Sequence, residues 1–177
     1  MKKKMIAILL ITLIIGSSVF FIYNEKHESP EELALIFLEQ LLTATPYTQS
    51  EIFDINMFSQ NDILSYIEIN YSDMATERMM KNLYMNRYIL LASDVALDSN
   101  SNVSLNDFKI ILTQHSDEKV YFNFEGTTKV TSLDTGEEII FPFTGQVGLT
   151  INDESPKVDT LRFFTITMLD HGIKAFE

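Results

Sequence analysis

The chain has 177 residues, of which 46% are hydrophobic and 21% charged, and this composition excludes collagen-like, disulfide-stapled and fully disordered chains. Its formal net charge of −12 disfavours DNA or RNA as a partner, because nucleic-acid phosphates carry the same sign. The chain has no cysteine, which removes disulfides, thiolate nucleophiles and cysteine-ligated metal centres together.

Positive charge is concentrated at the start of the chain. Lys2, Lys3 and Lys4 stand together there, and no charged side chain follows them before residue 25. Without these three lysines the chain has 10 basic and 25 acidic side chains, a formal charge of −15. By the positive-inside rule, this asymmetry predicts a cytoplasmic N-terminus and an extracytoplasmic remainder.

The segment from Met5 to Tyr23 has the length and composition of a transmembrane helix. Twelve of its nineteen residues are Ile, Leu, Val or Phe, and none is charged. As a helix it is roughly 28 Å long, close to the ~30 Å hydrocarbon thickness of a bilayer. Ile11 lies in its interior, and Tyr23 lies where an interfacial aromatic belongs. We therefore expect a single-pass membrane anchor over residues 1–24 and a linker over residues 25–29.

A cleaved signal peptide is the alternative for this segment. The apolar stretch is followed by the small residues Gly16, Ser17 and Ser18, a pattern typical of a cleavage site. Residues 19–23 are apolar again and lengthen the span, which favours the anchor. Cleavage would instead release a secreted protein, and on either interpretation residues 30–177 form an extracytoplasmic domain.

Helical patterns follow the linker. Ser29 stands before a proline and two glutamates and predicts a capped helix over residues 30–43. Further helical turns are expected after residue 50, a helix from about residue 62, and a longer helix over residues 73–91. The apolar residues on the buried faces of these helices recur at spacings of three and four: Leu33, Ile36, Phe37, Leu41, Ile63, Leu64, Ile67, Met79, Met80, Leu83, Tyr84, Tyr88 and Leu91.

Past a polar loop at residues 98–102, apolar residues alternate with polar ones, which indicates strands. Four strands are expected, over residues 103–115, 120–130, 139–151 and 158–169. The triplet Asp134-Thr135-Gly136 predicts the turn of a hairpin between the second and the third strand. Because helices come first and strands follow, we predict an α+β fold with the helices packed on a curved four-stranded antiparallel sheet.

Alternation also predicts which side chains of the sheet face the helices, with two exceptions. Leu105 and Phe108 have opposite parity, so we expect a bulge near Asp107. Phe163 and Phe164 are adjacent, so the facing of the last strand stays open. The other side chains expected on the inner face are almost all apolar: Ile110, Leu112, Val120, Phe122, Phe124, Thr128, Val130, Ile139, Phe141, Phe143, Val147, Leu149 and Ile151.

Residues that could carry catalysis are few. His27, His115 and His171 lie in the linker, at a strand end and near the end of the chain, which are poor places for a fixed base. No motif of a serine hydrolase, a phosphate-binding loop or a zinc peptidase occurs. The acidic stretch at residues 94–102 lacks the glycine and the terminal glutamate of a calcium-binding loop. We therefore expect no enzyme activity, no cofactor and no metal site.

A lysine cluster, one span, a linker, helices and a long antiparallel sheet follow one another in this chain. This order of elements resembles the bitopic membrane proteins of the VirB8-like family and covers the whole chain, although the Asn-Pro-x-Gly turn frequent in that family does not occur. The resemblance implies an NTF2-like or cystatin-like cone. It also implies a scaffold or assembly factor of a conjugation or secretion apparatus that binds envelope proteins or itself.

Two functions remain open at this point. The first is a non-catalytic, membrane-anchored interaction module. The second is a small-molecule-binding domain, or an isomerase or dehydratase acting inside the cone, either tethered or secreted, because the NTF2-like fold hosts such enzymes as well. An enzyme of that type needs a polar group on the inner face of the sheet, where almost only apolar residues are expected. The first function is therefore favoured.

Overall fold

The computed structural model describes residues 29–46, 60–151 and 155–167, and the fold is α+β. The helices are α1 (Pro30–Leu42), α2 (Gln60–Tyr71), α3 (Glu77–Met85) and α4 (Leu91–Asp98), and a 3-10 turn (Tyr88–Leu90) precedes α4. The strands are β1 (Ser101–His115), β2 (Lys119–Ser132), β3 (Glu138–Thr150) and β4 (Lys157–Ile166). They form one antiparallel sheet in the order β1-β2-β3-β4, as predicted.

Helix α1 begins where the sequence predicts. The Ser29 hydroxyl accepts a hydrogen bond from the Glu32 N–H at 3.1 Å, and Pro30 occupies the first turn, where its missing N–H costs nothing. The helix buries one face in the main core between the helices and the sheet, with the side chains of Leu33, Ala34, Phe37, Leu38, Leu41 and Leu42.

The single long helix predicted over residues 73–91 is wrong. Two helices are present, and the chain breaks between them at Arg87, whose φ of 54° is left-handed. The 3-10 turn follows, and α4 then continues past the predicted end. The apolar pattern does not reveal the break, because Tyr88 and Leu91 follow Tyr84 at helical spacing.

Two apolar residues predicted to be buried are exposed. Leu64 on α2 is 38% exposed, because this helix buries only a narrow stripe made by Ile67 and Tyr71, one turn apart. Leu112 on β1 is 54% exposed, because the last five residues of this edge strand extend past the covered part of the sheet. The helical turns predicted after residue 50 lie outside the described residues.

Along β2 and β3, the side chains that face the helices are those predicted from the alternation. The buried side chains on this face are Val120, Phe122, Phe124, Thr128, Val130, Phe141, Phe143, Val147 and Leu149. The bulge near Asp107 is confirmed, because Asp107 has a φ of 48° and the register with β2 shifts between Asn106 and Lys109. The bulge lets Leu105 and Phe108 both pack against the core despite their opposite parity.

A bulge also determines which side chains of β4 face the core. The register with β3 shifts at Asp159, which is only 8% exposed. Because of this shift, Val158 and Leu161 are both buried despite their opposite parity. Further along, Phe163 packs against the core and Phe164 is exposed. A buried carboxylate therefore lies in a strand where alternation could not settle the facing.

Backbone hydrogen bonds tie both edges of the sheet to the helical layer. After α1, Ala44 and Val103 exchange two bonds of 3.0 and 2.8 Å on the β1 edge. Before α3, Thr76 donates to Val158 at 2.9 Å, and Val158 donates to Met74 at 2.8 Å on the β4 edge. The helices are thus fixed to the sheet at the start of each edge strand, in addition to the packing of side chains.

We expect Phe122→Ala to lower the free energy of unfolding by about 3 to 5 kcal/mol, because this side chain is buried in the main core and its removal leaves a cavity. Denaturant unfolding of the purified chain measures the loss. Phe164→Ala is the matched control, since its ring is exposed, and it should change stability by less than about 1 kcal/mol. A loss for Phe122→Ala no larger than the loss for Phe164→Ala would contradict the placement of Phe122 in the core.

Candidate functional site

A pocket of about 570 Å³ opens in the helical layer, between α2, α3, the 3-10 turn and α4. We call it the helical pocket. Its apolar lining consists of Ile63, Tyr84, Met85, Ile89 and Leu90, and two charged residues complete it, Arg87 and Asp94. The volume suits a small molecule or the side chains of a bound polypeptide, and a few polar groups among apolar walls are typical of binding sites.

The helical pocket owes its shape to the turn at Arg87. Helix α3 closes with two hydrogen bonds, from the Asn86 N–H to the Asn82 carbonyl and from the Arg87 N–H to the Tyr84 carbonyl, both 3.0 Å long. A left-handed residue at this position of a helix end is usually glycine, because a side chain there costs about 1 to 2 kcal/mol. Here the residue is arginine, and it lines the pocket. The left-handed backbone therefore places a charged side chain at the pocket at a cost in stability.

The two charged residues of the pocket face each other. Arg87 Nη2 lies 3.5 Å from Asp94 Oδ2, and the side chains are 73% and 46% exposed, respectively. Burial raises the pKa of Asp94; Arg87 opposes the rise and Asp98, one turn further along α4, adds to it. The ion pair is long and exposed, so it contributes little to stability. Asp94 is therefore a partly desolvated carboxylate whose charge Arg87 compensates incompletely.

Helix α3 is held on the sheet by the carboxylate of Asp159. Thr76 donates its hydroxyl hydrogen to Asp159 Oδ1 at 3.0 Å and accepts the Met79 N–H at 3.2 Å, which caps the helix. Arg78 forms an ion pair with Asp159 Oδ2, and Lys119 Nζ lies 3.6 Å from the same oxygen. These contacts fix the start of α3. The other end of the helix carries Tyr84 and Met85 into the pocket lining.

Aromatic rings fill the space between the helices and one end of the sheet. Phe124 lies 5.9 Å from Phe143 and 5.5 Å from Phe163, and Phe108 lies 5.9 Å from Phe143, all between ring centroids. Tyr88 of the 3-10 turn meets Phe163 edge-on at 5.5 Å, which joins the pocket region to β4. An enzyme of the NTF2-like fold would need a cavity between the sheet and the helices, whereas the helical pocket lies among the helices.

Tyr71 is a buried polar residue that stands apart from the helical pocket. Its ring packs edge-on against Phe37 at 5.5 Å, and its hydroxyl has no hydrogen-bond partner among the described residues. Burial raises the pKa of Tyr71 far above its usual range, and the neighbouring Tyr66 adds to the rise. The hydroxyl therefore stays protonated, and it does not line the helical pocket.

The residues predicted to anchor and orient the chain lie outside the described residues: Lys2, Lys3, Lys4, Met5, Ile11 and Tyr23. In the described ranges no helix has the length and apolarity needed to cross a membrane. His115 ends β1 and is exposed, and the other two histidines lie outside the described residues. The described part of the chain brings together no group of three or more histidine, aspartate or glutamate residues that could hold a metal ion.

Sequence patterns did not indicate the helical pocket. Its lining comes from three helices and a turn, and the sequence predicts one continuous helix over residues 73–91, which ends before Asp94. Asn86 is the one local signal of the break, because asparagine is a weak helix former, but a single asparagine is tolerated inside a helix. Arg87 carries no signal at all, since arginine is a good helix former.

Similarity to known proteins does not assign the chain to a family. No protein-family model matches it, and no match was found among curated proteins or among solved structures. The resemblance to VirB8-like proteins is one of element order, and it stays a prediction.

We expect Arg87→Gly to raise the free energy of unfolding by up to about 1 kcal/mol, because glycine adopts a left-handed backbone without strain. The exposed ion pair that is lost with Asp94 offsets little of this gain. Arg87→Ala is the matched control, since it removes the same charge and keeps the strain. Denaturant unfolding of both variants measures the difference, and an Arg87→Gly variant no more stable than Arg87→Ala would contradict the expectation.

Proposed function

We propose that the chain is a non-catalytic, membrane-anchored module whose extracytoplasmic domain, residues 30–177, binds other proteins through the helical pocket. The observation that carries the proposal is the exposed apolar surface at the pocket. Met85 is 64% exposed and lines the pocket together with three partly exposed residues, Ile63, Tyr84 and Leu90. Apolar residues grouped at a concavity are typical of protein interaction sites.

The outer face of the sheet differs from this surface. Its exposed large apolar residues each have a polar neighbour. Ile111 pairs with Asn123 across β1 and β2, Ile140 pairs with Lys129 across β2 and β3, and the ring of Phe164 lies 5.6 Å from the Arg162 guanidinium. Exposed apolar residues of this kind are normal on a solvated face. The helical pocket is therefore the better candidate for a contact surface.

The membrane anchor belongs to the proposal as well. The uncharged segment from Met5 to Tyr23 is long enough to span a bilayer, and the lysines before it favour a cytoplasmic N-terminus. The first described helix begins at Pro30, so a linker of a few residues would separate the membrane from the domain. Cleavage of the segment as a signal peptide, which would give a secreted protein, is the alternative.

The proposal extends to the fold family and to the cellular role. Helices followed by a four-stranded antiparallel meander support an NTF2-like or cystatin-like cone with a curved sheet. Together with a single span and a cytoplasmic lysine cluster, this order supports a VirB8-like scaffold or assembly factor of a conjugation or secretion apparatus. Its partners would be envelope proteins or further copies of the chain.

A second candidate function is the binding of a small molecule, by a domain that is either tethered or secreted. Two features of the helical pocket favour it: the volume of about 570 Å³ and the two charged side chains, Arg87 and Asp94, which could orient a polar group. Native mass spectrometry of the purified chain separates this candidate from the first. A bound small molecule that is lost in Tyr84→Ala would support it.

Site-specific photocrosslinking in intact cells tests the first candidate. A photoreactive amino acid at Met85, in the lining of the helical pocket, should form adducts with one or a few proteins. The same substitution at Ile140, on the outer face of the sheet and 53% exposed, is the matched control and should form none of these adducts. If Met85 forms no protein adduct, or if both positions form the same adducts, the helical pocket is not the contact surface.

We expect Ile11→Lys to impair membrane insertion, because a lysine near the centre of a span costs about 3 kcal/mol. Cell fractionation followed by carbonate extraction measures the effect, and Ile11→Leu is the matched control. An Ile11→Lys chain that stays in the membrane fraction as completely as the control would show that residues 5–23 do not form the anchor.

A further inference from the structure

The chemistry of the helical pocket also indicates what kind of protein segment it takes. We propose that the pocket binds a polypeptide segment carrying a large apolar side chain next to a lysine or arginine. The apolar side chain enters the pocket, and the cation pairs with Asp94. The proposal rests on the proposed function, because it assigns a class of partner to the same site.

The lining explains the apolar half of this preference. Ile89 is buried and Leu90 half-buried, so they form the inner wall, while Met85 is largely exposed at the mouth. Burial of the exposed Met85 side chain under a partner is favourable, and its flexible thioether adapts to side chains of different shape. Removing this surface from water favours binding in proportion to the apolar area that is covered.

The ion pair at the pocket explains the preference for a cation. Arg87 is 73% exposed, so an incoming cation can take its place on Asp94 while the guanidinium stays in water at little cost. An incoming anion would instead bind Arg87 next to Asp94 and close to Asp98, and both carboxylates repel it. The exchange therefore favours positively charged segments over negatively charged ones.

The charge of the whole chain acts in the same direction. Beyond the N-terminal lysines it has 10 basic and 25 acidic side chains, so its long-range field attracts cations and repels anions. Such a field accelerates encounter with a basic partner, and the local pair at Asp94 then sets orientation. Long-range and local electrostatics thus select the same sign of charge.

Peptide binding to the full chain in an uncharged detergent tests the proposal. The first probe is a short, capped, alanine-based peptide with leucines next to lysines; a second replaces the lysines by glutamates, and a third replaces the leucines by alanines. Titration calorimetry should show the first peptide binding at least about tenfold more tightly than either of the others. Equal binding of the glutamate peptide, or of the peptide without leucines, would overturn the proposal.

Variants of the chain locate the binding. Asp94→Asn should weaken binding of the lysine peptide by about tenfold and reduce the preference over the glutamate peptide, whereas Arg87→Ala should leave binding equal or tighter because the competing cation is gone. Glu125→Gln, on the outer face of the sheet, is the matched control and should change nothing. Unfolding curves show that each variant is folded. Unchanged binding in Asp94→Asn would overturn the proposal.

Further outcomes separate this proposal from a small-molecule ligand and from an acidic protein partner. If phenethylamine, a small amphipathic amine, binds as tightly as the lysine peptide, the ligand is a small molecule and the polypeptide proposal is wrong. If photocrosslinking from Met85 captures a protein whose contacting segment is acidic, the class of partner is wrong, while the interaction function stands. Capture of a protein whose contacting segment is basic and apolar supports both.

Discussion

The arrangement of the domain depends on one buried carboxylate. Asp159 lies at a bulge in β4, and Thr76, Arg78 and Lys119 converge on it from the start of α3 and from β2. A carboxylate in this position loses hydration, so it is stable only while these partners are in place. Because Thr76 also caps α3, the same contacts fix the start of that helix. They thereby help to position α3, whose other end lines the helical pocket.

The sheet with its attached helices differs from the rim of the helical pocket. Backbone bridges at Ala44–Val103 and Ala75–Val158, together with the aromatic rings on the inner face, hold the helices against the sheet. The rim of the pocket is different, since it carries a largely exposed methionine and an arginine in a strained conformation. An exposed guanidinium and a flexible thioether at the mouth are consistent with the proposed binding of side chains from a partner.

Local rules allowed most of the fold to be predicted from the sequence. Helix capping located α1, turn chemistry located the β2–β3 hairpin, and a change of parity located the bulge at Asp107, because each depends on neighbours in the chain. The break at Arg87 was missed, since apolar spacing continues through it and arginine does not mark left-handed backbone. The helical pocket and the burial of Asp159 were missed for a second reason: both depend on elements that are distant in sequence.

Hydrogen exchange on the full chain, compared with an Asp159→Asn variant, tests most directly whether this carboxylate sets the geometry of the pocket. The amide substitution keeps the shape of the side chain and removes the charge that Arg78 and Lys119 contact. We predict faster exchange of the α3 amides, residues 77–85, with the protection of β2 and β3 retained, because the sheet keeps its own ladder. Unchanged protection of α3, or an equal loss across the whole sheet, would contradict this dependence.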